Sequence, residues 1–425
     1  MTNIRLLILF LLSIYAFFSI SCKKDNDSSP PQIEALNPSE NSFHYTFDTI
    51  IVQATIVDDR ELSHVSVDLL NADLISVVTP YSKNLSTKDY NLNAPLIIDN
   101  IHLTTGTHYI LITAKDKENT TRKFIEVWVY GLPIETRGYV TFENTSNQFE
   151  VHRYYNGSDS ILFQGQGELI GGLVDSYHQQ FGILKGPDGP FESHPLFPFI
   201  NEWEIGSING GINYCRGQAD KLTIQLGFQD QILSFYQGEA TLKRNFSAEV
   251  NYTPLFSLDH DESIVVWQHS SVQGSDRLEV FFKSGALKQV TSYNYAVIGL
   301  EIKDEDQVYV VANNGNDGHM GIYNVENGEI SDLLFEDQNL YSSCTDNLNR
   351  LYIASSNGIY RYDPISLQLA TISPIIATNL IWDLNLDRMI ATTDNELIVL
   401  NAVGMEIESF PLSGDCVELE VWYSK

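Results

Sequence analysis

An all-β chain with two domains in series is what this sequence predicts, and three observations predict it. Tyr (22) and Phe (21) are abundant beside Val, Ile and Thr, the residue types that pack best on a pleated sheet. Residues 32–131 hold short runs in which apolar and polar residues alternate at period two, with no helical periodicity. From residue 137 onward a strand pattern recurs at a period near 40 residues.

In the first domain the clearest runs are "TIIVQATIVDD", "LSHVSVDLLN", "HYILITAKD" and "TTRKFIEVWVYG". Seven short strands in about 100 residues suit an immunoglobulin-like β-sandwich over residues 32–131. "AKDKENTT" is a polar hairpin turn, and the surrounding "ITAKDKENTTRKFIEVWV" resembles the closing hairpin of bacterial Ig-like and PKD-like domains. "DDRE" (Asp58 to Glu61) is similar to a cadherin calcium motif. No second acidic motif accompanies it, so it reads as a solvated strand-end turn.

"GLPIET" (131–136) marks the boundary, and the repeat follows. "RGYVTF", "QQFGIL", "DKLTIQ", "ESIVVW", "DQVYVV", "NRLYIA" and "DRMIAT" each enter a strand from a polar turn. Their first apolar residues are Tyr139, Phe181, Leu222, Ile264, Val308, Leu351 and Met389, spaced by 42, 41, 42, 44, 43 and 38 residues. A period of this length with several strands per unit is that of a β-propeller blade. In the fifth unit the strands read "AVIGLEIK" (a, innermost), "QVYVVANN" (b), "GIYNVEN" (c) and "ISDLLFE" (d). The sixth reads "LYSSCTD", "RLYIASS", "GIYRYDP" and "LQLATIS".

Seven b-strands predict a seven-bladed propeller over residues 137–425. No room remains for an inner strand before Tyr139, while "CVELEVWYS" is left over at the C-terminus. The terminal strand is therefore expected to serve as strand a of blade one, with "GYVTFEN", "FEVHRYY" and "SILFQGQ". Closure of this kind removes exposed sheet edges. The blades lack a GH…WD signature, and Trp382-Asp383 in "IWDLN" stands alone.

At the other end, Arg5 precedes fifteen residues, Leu6 to Ile20, with nothing more polar than Ser and Tyr. That suits a signal-peptide core and is shorter than the roughly 18 residues a membrane span needs. "SISC" then places small residues before Cys22 and resembles the lipobox of bacterial lipoproteins, with Ser19 where Leu is usual. The resemblance implies a signal peptide over residues 1–21 and a lipidated Cys22. Residues 22–31 carry nothing apolar to bury beyond the lipidated Cys22 and read as a flexible tether. "CKKDND" is similar to the start of surface-displayed lipoproteins of Bacteroidota-type bacteria.

Charge excludes one class of partner. Against 55 Asp and Glu stand 25 Lys and Arg, a formal net of −30, a field that repels nucleic acid. Cys215, Cys344 and Cys416, all in expected inner strands, form no CxxC and fit small buried apolar residues rather than a disulfide framework or zinc site. No HExxH, GxSxG, P-loop, dinucleotide fingerprint or Asp-box is present, and no cofactor is expected. "LDHDE" (Asp259, His260, Asp261) falls at an a–b hairpin, and "NNGNDGHMG" (313–321) reads as a long Asn/Gly hairpin turn rather than a calcium loop. No metal site is expected.

Propeller geometry gives the candidate binding face, because b–c loops and d–a connections emerge on one side. An enlarged b–c segment of blade two, "KGPDGPFESHPLFPFINEW", carries Phe191, His194, Phe197, Phe199 and Trp203. The same face should hold His269, Asn314, Asp317, His319 and, near a d–a turn, Tyr341. Aromatic rings beside amide and carboxyl groups suit a sugar or another small ligand.

Lipidated cysteine, tether, Ig-like spacer and propeller, in that order, resemble the accessory lipoproteins of Bacteroidota nutrient-uptake systems. These accompany TonB-dependent outer-membrane transporters and glycan-binding lipoproteins. The resemblance implies a lipid-anchored outer-membrane protein at the cell surface, with the periplasmic face as the alternative. It further implies a non-catalytic module for capturing a glycan or other small nutrient. An extracellular hydrolase or lyase on the same face, and a scaffold for protein partners, are the alternatives from other classes.

Overall fold

The computed structural model describes residues 29–425 apart from 187–188, 197–201, 207–210, 219–222, 229–231, 238–240, 248, 250, 261–262, 271 and 273. Cys22, the signal-peptide segment and most of the tether lie outside the described residues. Every regular element among the described residues is a strand. The chain divides into two compact units between Pro133 and Ile134.

The first unit has six strands: β1 (Gln32–Asn37), β2 (Ser42–Tyr45), β3 (Thr49–Leu70), β4 (Tyr81–Ile97), β5 (Gly106–Lys115) and β6 (Thr120–Tyr130). Their order is β1-β3-β5-β6-β2, with β4 also paired to β3. Period-two alternation puts Val52, Ala54, Ile56, Val67, Leu96, Ile112 and Val127 in one shared core. The expected seven strands become six because "TIIVQATIVDD" and "LSHVSVDLLN" are one continuous strand of 22 residues. "DDRE" does not end a strand. It bulges from the middle of β3, where the pairing with β4 jumps from Val57↔Asp89 to Leu62↔Thr87. At the β5–β6 turn the Asp116 carboxylate accepts the backbone N–H groups of Glu118 and Asn119, which fixes the hairpin.

The second unit comprises seven antiparallel four-stranded sheets. Their inner strands are Leu169–Asp175, Ile212–Gln218, Thr253–His260, Ala296–Ile302, Leu340–Thr345, Asn379–Asp383 and Asp415–Tyr423. Each inner strand lies beside the next, and Asp415–Tyr423 touches both Asn379–Asp383 and Leu169–Asp175, so the ring is closed. This is a seven-bladed β-propeller. The C-terminal strand is strand a of blade one, paired with Thr136–Asn144 through Leu419↔Thr141 and Val421↔Tyr139.

Each seam between blades holds its own apolar cluster, fed by alternate residues of the facing sheets. Phe142, Phe181, Ile183 and Trp422 fill the seam of blades one and two. Tyr139, Tyr154, Val399, Phe410 and Val421 fill that of blades seven and one. The hydrophobic core is therefore distributed as seven wedges around a central channel.

Candidate functional site

The channel is built by one recurrent distortion. Six of the seven inner strands carry a register shift near their start, for example between Ile212 and Tyr214 and between Val297 and Gly299. A bulge turns the strand and re-aims the residues that follow it. Counted from that bulge, Arg216, Glu301 and Glu420 occupy the same level on blades three, five and one. Glu418 sits two residues earlier on blade one.

All four line a central cavity of about 730 Å³, with Tyr214, Phe256, Tyr341 and Trp382 among the other walls. The Arg216 guanidinium is held by neutral groups. It donates to the Ser257 carbonyl (3.4 Å) and the Leu300 carbonyl (3.3 Å), and stands 5.2 Å from the centre of the Phe256 ring. Glu301 accepts the Ser343 hydroxyl at 3.2 Å. Gly299 makes this possible, because a Cβ there would overlap the Ser343 hydroxyl.

Enclosure by protein sets the electrostatics. It pushes Glu301 up to about 7, against the attraction of Arg216 and the Ser343 hydrogen bond. It pushes Glu418 up to about 7 as well, again opposed by Arg216. Glu420 is held well above the usual carboxylate range by enclosure and then by the charge of Glu418. All three keep partial contact with solvent in the channel. Near neutral pH, Glu301 and Glu418 can therefore both hold and release a proton. The Cys215 and Cys344 thiols on the channel wall are raised by burial and are poor nucleophiles.

The sequence-derived binding face is rearranged by the structure. Phe191 and His194 lie in strand c of blade two (Phe191–Pro195), and Trp203 begins strand d (Trp203–Ile205), so these are not residues of a b–c loop. Phe191 is completely buried in the seam of blades two and three, 5.5 Å from Trp203. The Trp203 indole N–H donates to Gln180 (3.1 Å), and the His194 ring packs 4.2 Å from Phe163. These rings are used in packing, because the seams on either side of blade two need them to fill the space between facing sheets. Phe197 and Phe199 lie outside the described residues.

His269 is next to last in strand b of blade four and is bonded to Asp276 at 2.6 Å. The long turn expected at 313–321 is instead a two-residue hairpin, Gly315-Asn316, between Asn314 and Asp317. Asp317 accepts the N–H of Asp337 (2.8 Å), while His319 is buried, bonded to Asp332 and stacked 4.1 Å from Tyr295. Of the sequence-derived candidates among the described residues, Tyr341 alone reaches the channel wall. Arg216, Glu301, Glu418 and Glu420 were not singled out from the sequence. The signal was there: charges inside inner strands, as in "CRGQ", "GLEIK" and "CVELEVW".

Among the described residues no group of three or more His, Cys, Asp or Glu is placed to hold a metal ion. No protein-family model matches the sequence, and a comparison with curated proteins finds no match. Solved structures of similar shape are propellers at low identity. The WD40 propeller domain of Doa1 matches at 13% identity and TM-score 0.46, covering 61% of this chain and 92% of its own. Saccharomyces cerevisiae Sqt1 matches at 14% and 0.47, covering 65% of this chain and 87% of its own. A quinoprotein alcohol dehydrogenase-like protein of Bacteroides thetaiotaomicron matches at 11% and 0.46, covering 93% of this chain and 99% of its own.

Proposed function

We propose that the chain is a lipid-anchored surface lipoprotein whose propeller channel is a non-catalytic binding site for a small polar ligand. In this reading it serves nutrient capture beside an outer-membrane transporter, and the first unit is an Ig-like spacer. One observation carries the binding assignment. The seven inner strands enclose about 730 Å³ into which a guanidinium and three carboxylates converge beside aromatic rings. Volumes of this order are those of ligand sites. The anchor rests on the apolar run ending in "SISC".

The test is a panel of sugars and small metabolites titrated calorimetrically into the wild-type chain and into Arg216→Met and Glu301→Gln. A ligand whose affinity falls at least about tenfold in both variants supports the assignment, since one charge-assisted hydrogen bond is worth about 1.5–3 kcal/mol. A ligand bound equally well by all three chains places the site elsewhere. For the anchor, Cys22→Ala should move the chain from the membrane fraction to the soluble one.

The raised Glu301 and Glu418 carboxyls favour a second reading, an extracellular hydrolase or lyase with one carboxyl as acid and the other as base. Product formed from a bound glycan, and lost in Glu418→Gln, would replace the binding reading.

A further inference from the structure

We propose that the ligand of the central channel is an organic cation, an ammonium group on a sugar or an alkyl chain. This deepens the channel-binding reading and rests on it. The channel holds carboxyls that its own cation does not satisfy. Arg216, the sole cation among the described residues lining the cavity, is committed to the Ser257 and Leu300 carbonyls and the Phe256 ring. Three carboxylates face that single committed cation. Glu301 receives one hydroxyl. Glu418 receives the N–H of Leu419. No described group donates a hydrogen bond or forms an ion pair to the Glu420 carboxyl, although it lines the cavity and protein surrounds it.

A channel carboxyl with no donor from the described residues is free to accept hydrogen bonds from a ligand. A bound ammonium ion supplies three donors and a positive charge, and the exposed Tyr341 ring on the same wall can supply a cation–π face. An anionic ligand would find one guanidinium, already committed, and three carboxyls that can add only like charge. A neutral ligand would leave the mutual repulsion of Glu418 and Glu420 unrelieved.

The surroundings of Glu420 define the expected pH response. The groups able to charge there are Glu418 and Tyr423 on its own strand, Tyr214, Cys215 and Arg216 of blade three, Glu301 of blade five, and Tyr341, Cys344 and Asp346 of blade six. Asp346 is already paired with Arg350 at 2.5 Å. Blades two, four and seven present Ile170, Leu255, Phe256, Leu380 and Ile381. Ammonium binding favours ionised carboxylates and therefore releases protons. Affinity should rise with pH up to neutrality, by at most about tenfold per pH unit for each proton released.

The experiment is calorimetric titration of the whole chain with spermidine, with the glucosamine disaccharide and with its di-N-acetyl form, which keeps the shape and loses the charge. Ser342→Trp, which plugs the channel, and Glu420→Gln are titrated beside the wild type, after thermal melting shows that both fold. Expected is binding of at least one amine about tenfold or more tighter than the N-acetyl sugar, weakened at least about tenfold by Glu420→Gln and abolished by the plug. For spermidine, whose charge is constant over the range, affinity should climb from pH 5.5 to 7.5. A preference for the sugar amine over spermidine identifies the glycan source, and the reverse the polyamine source. If the N-acetyl sugar binds as well as the amine and the plug abolishes both, the channel reading stands and the cation inference falls. If no probe binds, or the plug changes nothing, both fall.

Discussion

Asn313 brackets Leu340 across a blade seam. Its Nδ2 donates to the Leu340 carbonyl at 2.8 Å, and its Oδ1 accepts the Leu340 N–H at 2.9 Å. Asn144 does the same to Leu169, at 2.9 and 2.8 Å, between blades one and two. Asn144 ends its strand b and Asn313 is next to last in its own, and each Leu opens the next blade's inner strand, so one side chain fixes where that strand begins.

Asn313→Ala should therefore destabilise the propeller by roughly 2–4 kcal/mol, because both backbone groups of Leu340 lose their partner. Asn144→Ala should cost a similar amount, and the double variant about the sum, since the two seams share no residues. Chemical denaturation of the three variants checks this. A cost under about 0.5 kcal/mol would show that other contacts hold the register.

Closure of the ring depends on the last strand. Deleting residues 416–425 removes Leu419, Val421 and Trp422 from two seams and leaves Thr136–Asn144 as an open edge. Ser413 and Gly414, whose N–H groups the Glu143 carboxylate accepts at 2.7 and 3.0 Å just before that strand, are left next to a free chain end. Each buried apolar side chain lost costs about 1.5–3 kcal/mol. Thermal melting should show a much lower or absent transition of the second unit. An unchanged melting temperature would mean that the C-terminal strand is dispensable.

Stability should fall as pH rises from 5 to 8. Burial opposes charging of His152, but its hydrogen bonds to Asp159 and Glu150 (both 2.9 Å) outweigh this and raise it above 6.5. A raised histidine stabilises the fold fully below its unfolded value, and that gain is lost as pH climbs through the folded value. Glu301 and Glu418, raised to about 7, act in the same direction, because the folded state binds more protons than the unfolded one between about 4.5 and 7. Melting temperature against pH should thus slope downward, and Glu301→Gln should flatten it. A variant curve parallel to wild type would mean that Glu301 titrates normally.

How much of this was legible depends on what each residue answers to. Blade strands follow local alternation, and the strands read from the fifth and sixth units agree within one or two residues with Ala296–Phe335 and Leu340–Ser373, except that the fifth c-strand both begins and ends earlier, at Asp317 and Asn324. Phe191 was misplaced because "GPDGPFESHPLFP" signals turns through its prolines, whereas Phe191 answers to a seam supplied by blade three, far along the chain. The channel charges were passed over for a related reason. A lone Glu in an apolar strand acquires meaning only when ring closure brings Glu301 and Glu420 to the level of Arg216.

The contrast between Phe191 and Tyr341 gives the last prediction. Phe191 is fully buried, and its ring lies over Gly182, where a Cβ would overlap it. Phe191→Ala should cost about 3–5 kcal/mol and leave ligand affinity unchanged in the fraction that folds. Tyr341 is 41% exposed, makes no side-chain hydrogen bond among the described residues, and lines the channel. Tyr341→Ala should shift stability by no more than about 0.5 kcal/mol, as for other exposed positions, while weakening the channel ligand by about tenfold through loss of a ring face. Denaturation and calorimetry on the two variants separate packing from recognition. The opposite pattern, affinity lost in Phe191→Ala and kept in Tyr341→Ala, would return the binding site to the second blade.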